Sequence, residues 1–136
     1  MIIRPITPAQ TYALRHAVLW PDQRLSYVQL PDDAAGQHFG AFEAEELVVV
    51  ISLFVGPDGT ARFRKFATAL AWQGRGLGSA LLRHTIAAAA AQGARTLWCD
   101  ARQNTLAFYA RFGLRPEGNV FYKGPIAYVR LRMVLS

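Results

Sequence analysis

The sequence predicts an α/β protein of the α+β type: one domain over residues 1–136, with flanking helices on a mixed, mostly antiparallel central sheet. Two observations carry this reading. Residues 38–69 divide into three strand-like runs separated by tight-turn chemistry, the pattern of antiparallel neighbours. "KFATA", a loop, a helical stretch and "LWCDA" then form a β-α-β crossover, which requires one parallel strand pair.

Each element has a local reason. "IIRPI" is a short strand, and Thr7, Pro8 and Gln10 after it form a capping-box helix start. Leu14, Val18 and the flanking Ala17 give that helix its apolar stripe until "WPD" stops it. Residues 21–36 are irregular, punctuated by Pro21, Pro31 and Gly36. "HFGAFE" and "LVVVISLFV" read as a hairpin around Glu43 to Glu46, the second strand apolar enough to be central. "GPDG" at 56–59 turns the chain into "TARFRKFATA". Alternation there places Phe63 with Lys65 and Ala67 on one face, and Arg62, Arg64 and Phe66 on the other.

Leu77 to Gln92 reads as a helix with Leu82, Ile86 and Ala89 on one stripe and Gly93 as its stop. "RTLWCDA" is a short buried strand. Asn104 can cap a helix through Phe112, ended by Gly113 with Pro116 just beyond. "AYVRLRMVL" alternates as a last strand, so the order is β-α-β-β-β-α-β-α-β without a repeat or a linker.

Composition narrows the function classes. Apolar residues make up 52% and charged residues 18%, which argues against disorder. There is no secretory signal pattern and no apolar run near the length of a membrane span, so a cytoplasmic protein with no membrane partner is expected. Cys99 is the only cysteine, which excludes an intrachain disulfide and a cysteine-based zinc site; no metal is expected. The net charge of +6 suits either nucleic acid or a small polyanion. The arginines are scattered without a contiguous basic run, so no nucleic-acid partner is expected.

The densest signal is "AWQGRGLGSALLRH", residues 71–84, with Gly74, Gly76 and Gly78 at alternate positions before a helix. A Walker loop needs a lysine at the helix start, and none is there; a dinucleotide fingerprint needs a third glycine where Ser79 stands. Free N–H groups at a helix N-terminus together with its dipole make an anion site, and glycines let the backbone approach a diphosphate. The same glycines also suit a tight strand-to-helix turn.

Gln73-Gly74-Arg75-Gly76-Leu77-Gly78 is a Q-x-x-G-x-G motif and resembles the acetyl-coenzyme A pyrophosphate loop of the GNAT superfamily of N-acetyltransferases. "NTLAFYARFGLRP" is similar to that family's last helix, and "FYKGPIAYVRLRMVL" to the closing hairpin of some branches. The resemblance implies a splayed parallel strand pair holding the pantetheine arm of acetyl-CoA. It assigns to the cofactor the main chain of Phe66 to Thr68, the loop Gln73, Gly74, Arg75, Gly76, Leu77, Gly78 and Ser79, and Asn104. A backbone N–H near Thr68 would polarise the thioester carbonyl. Tyr109 matches the tyrosine that protonates the departing thiolate, a role suited to a phenol that stays protonated at neutral pH.

The resemblance thus implies direct acetyl transfer to a primary amine of a small-molecule or peptide acceptor. Cys99, without a neighbouring histidine, reads as packing. Many family members carry a glutamate base on the strand before the loop. Here that strand reads Arg62-Phe63-Arg64-Lys65-Phe66, leaving His38, Glu43, Asp22, Asp100 or a water chain as candidates and none assigned. If Arg62, Arg64 or Lys65 faces the cleft, the acceptor is expected to carry a carboxylate or phosphate beside its amine. His38 reads as structural, and His16 and His84 as solvent-facing. Phe108 reads as packing, and Trp20 and Tyr27 lie in the variable acceptor-side segment. A non-catalytic acyl-CoA sensor of the same fold is the alternative. Strand edges and the apolar C-terminus are compatible with a homodimer.

Overall fold

In the computed structural model, which describes residues 1–135, a single mixed sheet organises the chain. The elements are β1 Ile2–Ile6, α1 Pro8–Leu14, β2 Gln37–Glu43, β3 Glu46–Val55, β4 Thr60–Thr68, α2 Leu77–Ala91, β5 Thr96–Arg102, α3 Leu106–Ala110, β6 Arg115–Pro116, β7 Phe121–Lys123 and β8 Ile126–Val134. The sheet runs β1-β2-β3-β4-β5-β8-β6, and β7 pairs with β8. Among the described residues only β4 and β5 are parallel, as the crossover requires.

β3 is the centre. Val48 to Ile51 and Leu53 are fully buried, because α1 and α2 both pack on this strand, from opposite faces of the sheet. The β2–β3 turn places Ala44 and Glu45 at φ 47° and 68°, the left-handed pair that a two-residue hairpin needs. Thr7 and Gln10 make both bonds of the capping box: Gln10 N–H donates to Thr7 Oγ1 at 3.3 Å, and Thr7 N–H to Gln10 Oε1 at 2.8 Å. Among the described residues no helix is long and apolar enough to cross a membrane.

Three local expectations are corrected. The first helix passes into a π-helical stretch, Arg15–Leu19; it buries Thr11 and Arg15, while Ala17 is exposed. A charged side chain holds the position that an apolar stripe was expected to hold, because it finds partners inside. Asn104 does not cap the last helix: it lies in a 3-10 turn, Gln103–Thr105. Thr105 takes the cap position and turns its hydroxyl back to donate to Arg102 C=O at 2.6 Å, and α3 ends at Ala110 rather than Phe112.

The third correction shapes the site. Arg64 pairs with Ser52 and Ala67 with Val50, so Lys65 and Phe66 together oppose Ile51. This β-bulge puts Lys65 at φ 55° and reverses the alternation beyond it. Phe66 therefore lies on the face of Phe63, with ring centroids 6.3 Å apart, not on that of Arg62 and Arg64.

Candidate active site

β4 and β5 pair only from Thr60↔Thr96 to Arg62↔Trp98, yet β4 continues to Thr68 and β5 to Arg102. Beyond Arg62 the strands separate, and two cavities open at the gap. A larger one, about 610 Å³, is lined by Phe66, Thr68, Gln73, Gly74, Gly76, Leu77, Gly78, Ser79, Asn104 and Tyr109. A smaller one, about 130 Å³, is lined by Arg62, Arg64, Lys65, Asp100, Arg102 and Lys123 among others. Phe66, Thr105 and Tyr109 belong to both linings.

The glycines serve two different ends. Gly74 and Gly76 have φ 77° and 80°, and a Cβ on either would meet nothing within 4 Å; they are needed for backbone conformation. Gly78 is needed for closeness: a Cβ there would lie 3.1 Å from Thr68 Oγ1 and 3.3 Å from Phe66 Cζ. That contact seats the start of α2 against the end of β4. Gln73 Nε2 donates to Thr68 C=O at 3.0 Å and ties the loop to the same strand end. No side chain caps α2 at Gly76, and Ala80 N–H is bonded to Gly76 C=O. The amides of residues 77–79 precede that bond, and the first amides of a helix lack intrahelical acceptors. Arg75 is the loop residue outside the cavity lining; its guanidinium sits 4.8 Å from the Trp72 ring centroid.

Tyr109 stands at the junction, half-buried, with ring centroids 5.9 Å from Phe63 and 5.1 Å from Phe108. Burial pushes its phenol above the usual tyrosine range, with a smaller contribution from Cys99, so the group stays protonated well into alkaline pH. Burial, followed by the Asp100 charge, pushes the Cys99 thiol up to about 12, which leaves no thiolate at neutral pH.

Of the four side chains considered as bases, only Asp100 reaches either cavity. Burial alone would raise its carboxyl, but the Arg130 hydrogen bond and the Arg130 and Arg62 charges outweigh this and hold it below the usual range. Arg130 Nε donates to it at 2.9 Å and Arg62 NH2 at 3.2 Å. Glu43 lies 3.6 Å from the N-terminal ammonium. His38 is buried in a polar network: Nδ1 is 2.7 Å from Ser52 Oγ and Nε2 is 2.8 Å from Asp33 C=O. Arg15, fully buried, donates to both Asp33 oxygens at 2.8 and 2.9 Å, to Ser52 Oγ and to Val28 C=O.

Several lining residues were not anticipated from sequence: Trp72, Thr105 and Arg111 on the larger cavity, Arg102 and Lys123 on the smaller. Arg111 donates to Ser79 Oγ at 3.1 Å, so it brings a cation to the first turn of α2. Its offset of three residues from Phe108, which also lines the cavity, was the available signal. Lys123 had none, because the β7–β8 hairpin folds it back from 58 residues beyond Lys65.

Comparison with known proteins agrees with this architecture. Over 127 residues, spanning 88% of this chain and 85% of the relative, the chain is 27% identical to an uncharacterized N-acetyltransferase, YitI, of Bacillus subtilis (strain 168). A GNAT family acetyltransferase of Elizabethkingia anophelis with acetyl-CoA bound superposes with a TM-score of 0.78 at 20% identity, covering 98% of this chain and 97% of that one. A Bacillus subtilis acetyltransferase in complex with CoA gives 0.78 at 21% identity, with 98% of each chain covered. The family model described as "Acetyltransferase (GNAT) family" matches residues 7–114. With four-fifths of its length in that match, and the splayed strand pair in place, the chain belongs to the GNAT family of acetyltransferases.

Proposed function

We propose that this protein is an acetyl-CoA-dependent N-acetyltransferase that moves the acetyl group directly from the thioester to a primary amine. The observation that carries the reading is the meeting of two cavities at Tyr109, where the β4–β5 pairing ends. Acetyl-CoA, when bound, supplies the activated acyl group. The larger cavity fits it: the Gly74–Ser79 loop offers main-chain donors at a helix N-terminus, a cradle that a Cβ at Gly78 would crowd. Gln73 fixes that loop to Thr68, and Phe66 to Thr68 border the gap with main chain that β5 leaves unpaired. Asn104 and Arg111 complete the lining, Arg111 beside Ser79.

The acceptor nitrogen attacks the thioester carbon from the smaller cavity. The C–N bond forms, the C–S bond breaks, and the sulfur takes the Tyr109 phenolic proton while the amine proton restores it, directly or through water. An N–H near Thr68 stabilises the developing oxyanion. No enzyme nucleophile is required, consistent with the inert Cys99. Thiol release from acetyl-CoA with a panel of small amines tests this. Tyr109→Phe is expected to lower kcat by about 10²–10⁴-fold with CoA affinity retained. Release unchanged in Tyr109→Phe removes the acid role; no release with any amine, with CoA bound, points to the acyl-CoA sensor.

A further inference from the structure

We propose that the acceptor is a small amine carrying a fixed carboxylate or phosphate, and that Lys65, Lys123 and Arg64 hold this anion on the far side of Tyr109. This rests on the transfer reading above and names its acceptor class. The smaller cavity is lined by five cationic side chains, Arg62, Arg64, Lys65, Arg102 and Lys123, against one carboxylate, Asp100. That carboxylate is already engaged by Arg62 and Arg130. Among the described residues Arg64 reaches only the exposed Asp32, at 3.8 Å. Among the described residues Lys65 and Lys123 form no ion pair, and Lys123 Nζ instead sits 4.5 Å from the Tyr128 ring centroid. Arg62 also keeps a buried Nε with no hydrogen-bond partner among the described residues.

Lys65 is placed here at a cost. A non-glycine residue at φ 55° is strained, and the bulge that holds it there delivers its side chain into the cavity lining. Burial first, then the Arg64 and Lys123 charges, lower its ammonium to about 8, which is the mark of a cation without a counter-ion. Concentrating unneutralised positive charge in a partly desolvated pocket is unfavourable unless an anion arrives. An amine alone would enter this field as a repelled ammonium. An acceptor with its own anion is attracted, and the same cations lower the pKa of its ammonium, which helps to free the nucleophilic amine where no unengaged carboxylate faces it. A volume of about 130 Å³ suits a molecule of amino-acid size.

The test compares propylamine, β-alanine, 2-aminoethyl phosphate and 1,4-diaminobutane, by thiol release at saturating acetyl-CoA and by calorimetric binding to the CoA-loaded protein. One charge-assisted contact sets the expected preference for an anionic amine over propylamine at about 100-fold in kcat/KM, with the diamine last. The ranking of β-alanine against the phosphate identifies which anion the site takes. Lys65→Gln and Lys65→Gly, the latter suited to the bulge backbone, should each raise KM for the preferred anionic amine by about 10-fold or more and change kcat far less. Preference for propylamine or the diamine overturns the proposal, as does an equal KM effect on neutral and anionic amines. If no amine is acetylated although CoA binds, the transfer reading fails separately. Calorimetric binding of either anionic amine, weakened in Lys65→Gln, then upholds the anion site, and no binding at about 10 mM overturns it.

Discussion

Arg15 and Arg62 both bury an Nε atom without a hydrogen-bond partner among the described residues, but they sit in opposite electrostatic surroundings. Arg15 lies in a closed network: its two terminal nitrogens meet Asp33, Ser52 and Val28, and Ser52 passes the chain on to His38. With Nε2–H donating to Asp33 C=O, His38 Nδ1 accepts from the Ser52 hydroxyl, whose oxygen accepts from Arg15, so the network is satisfied apart from Arg15 Nε. Arg62 lies in an open network, beside a cavity lined by five cations and one carboxylate. Charge that the fold neutralises itself is architecture; charge that it leaves unneutralised beside a cavity is available to a ligand.

The largest effect that would break this contrast is on stability. Arg15→Ala leaves Asp33 buried and unpaired and should cost about 3–5 kcal/mol, read as a fall in the thermal denaturation midpoint of about 10 °C or more. Ser52→Ala keeps the ion pair, including the Arg15 NH2 bond to Asp33, but strands the second NH2 hydrogen and His38 Nδ1, for about 1–3 kcal/mol in denaturant titration. A loss as large from Lys65→Gln as from Arg15→Ala would erase the distinction between the two networks.

Acid unfolding sharpens the same comparison. Burial alone would raise the Asp33 carboxyl, but hydrogen bonds from Arg15 and Leu30 N–H and the Arg15 and His38 charges hold it below its ordinary value. Its folded pKa is thus depressed, so its stabilisation is fully present above the unfolded value near 3.8 and is lost as pH falls through that value toward the folded one. Asp33→Asn should flatten the pH dependence of stability below about pH 4.

Much of the site was legible because its signals are local. Gly74 and Gly76 are glycines for their positive φ, Gly78 for its contact with Thr68, and Gln73 for its reach back to the strand end; all four lie within six residues. The Thr7–Gln10 cap and the turns at 44–45 and 56–59 were readable for the same reason. Lys65 was not. Strand alternation has a period of two, and a single extra residue at the bulge inverts everything after it, so Phe66 was assigned to the wrong face. Arg15 was hidden because its partners lie 18 and 37 residues away, and a helical stripe gives no sign that a charge inside it will be paired. Asn104 and Thr105 are adjacent cap-forming residues, and only the backbone decides between them.

The smallest expected effect concerns pH and the open network. Lys65, lowered to about 8, faces Arg64, Lys123, Arg102 and Arg15, with Asp100 as the cavity's one carboxylate. N-acetyl-β-alanine has no amine to titrate, so its binding reports the cations alone. Its affinity should be greatest below pH 8 and fall by several-fold as pH rises through 8–9, as Lys65 loses its proton. Lys65→Gln should remove that dependence, and the same substitution should change folding stability by less than about 1 kcal/mol.

The most direct test is calorimetric titration of the folded protein with acetyl-CoA and, separately, with pantetheine, which lacks every phosphate. If the amides at 74–79 grip the pyrophosphate, acetyl-CoA binds and pantetheine binds about 100-fold or more weakly. No heat with acetyl-CoA, or equal affinity for the two, would contradict it.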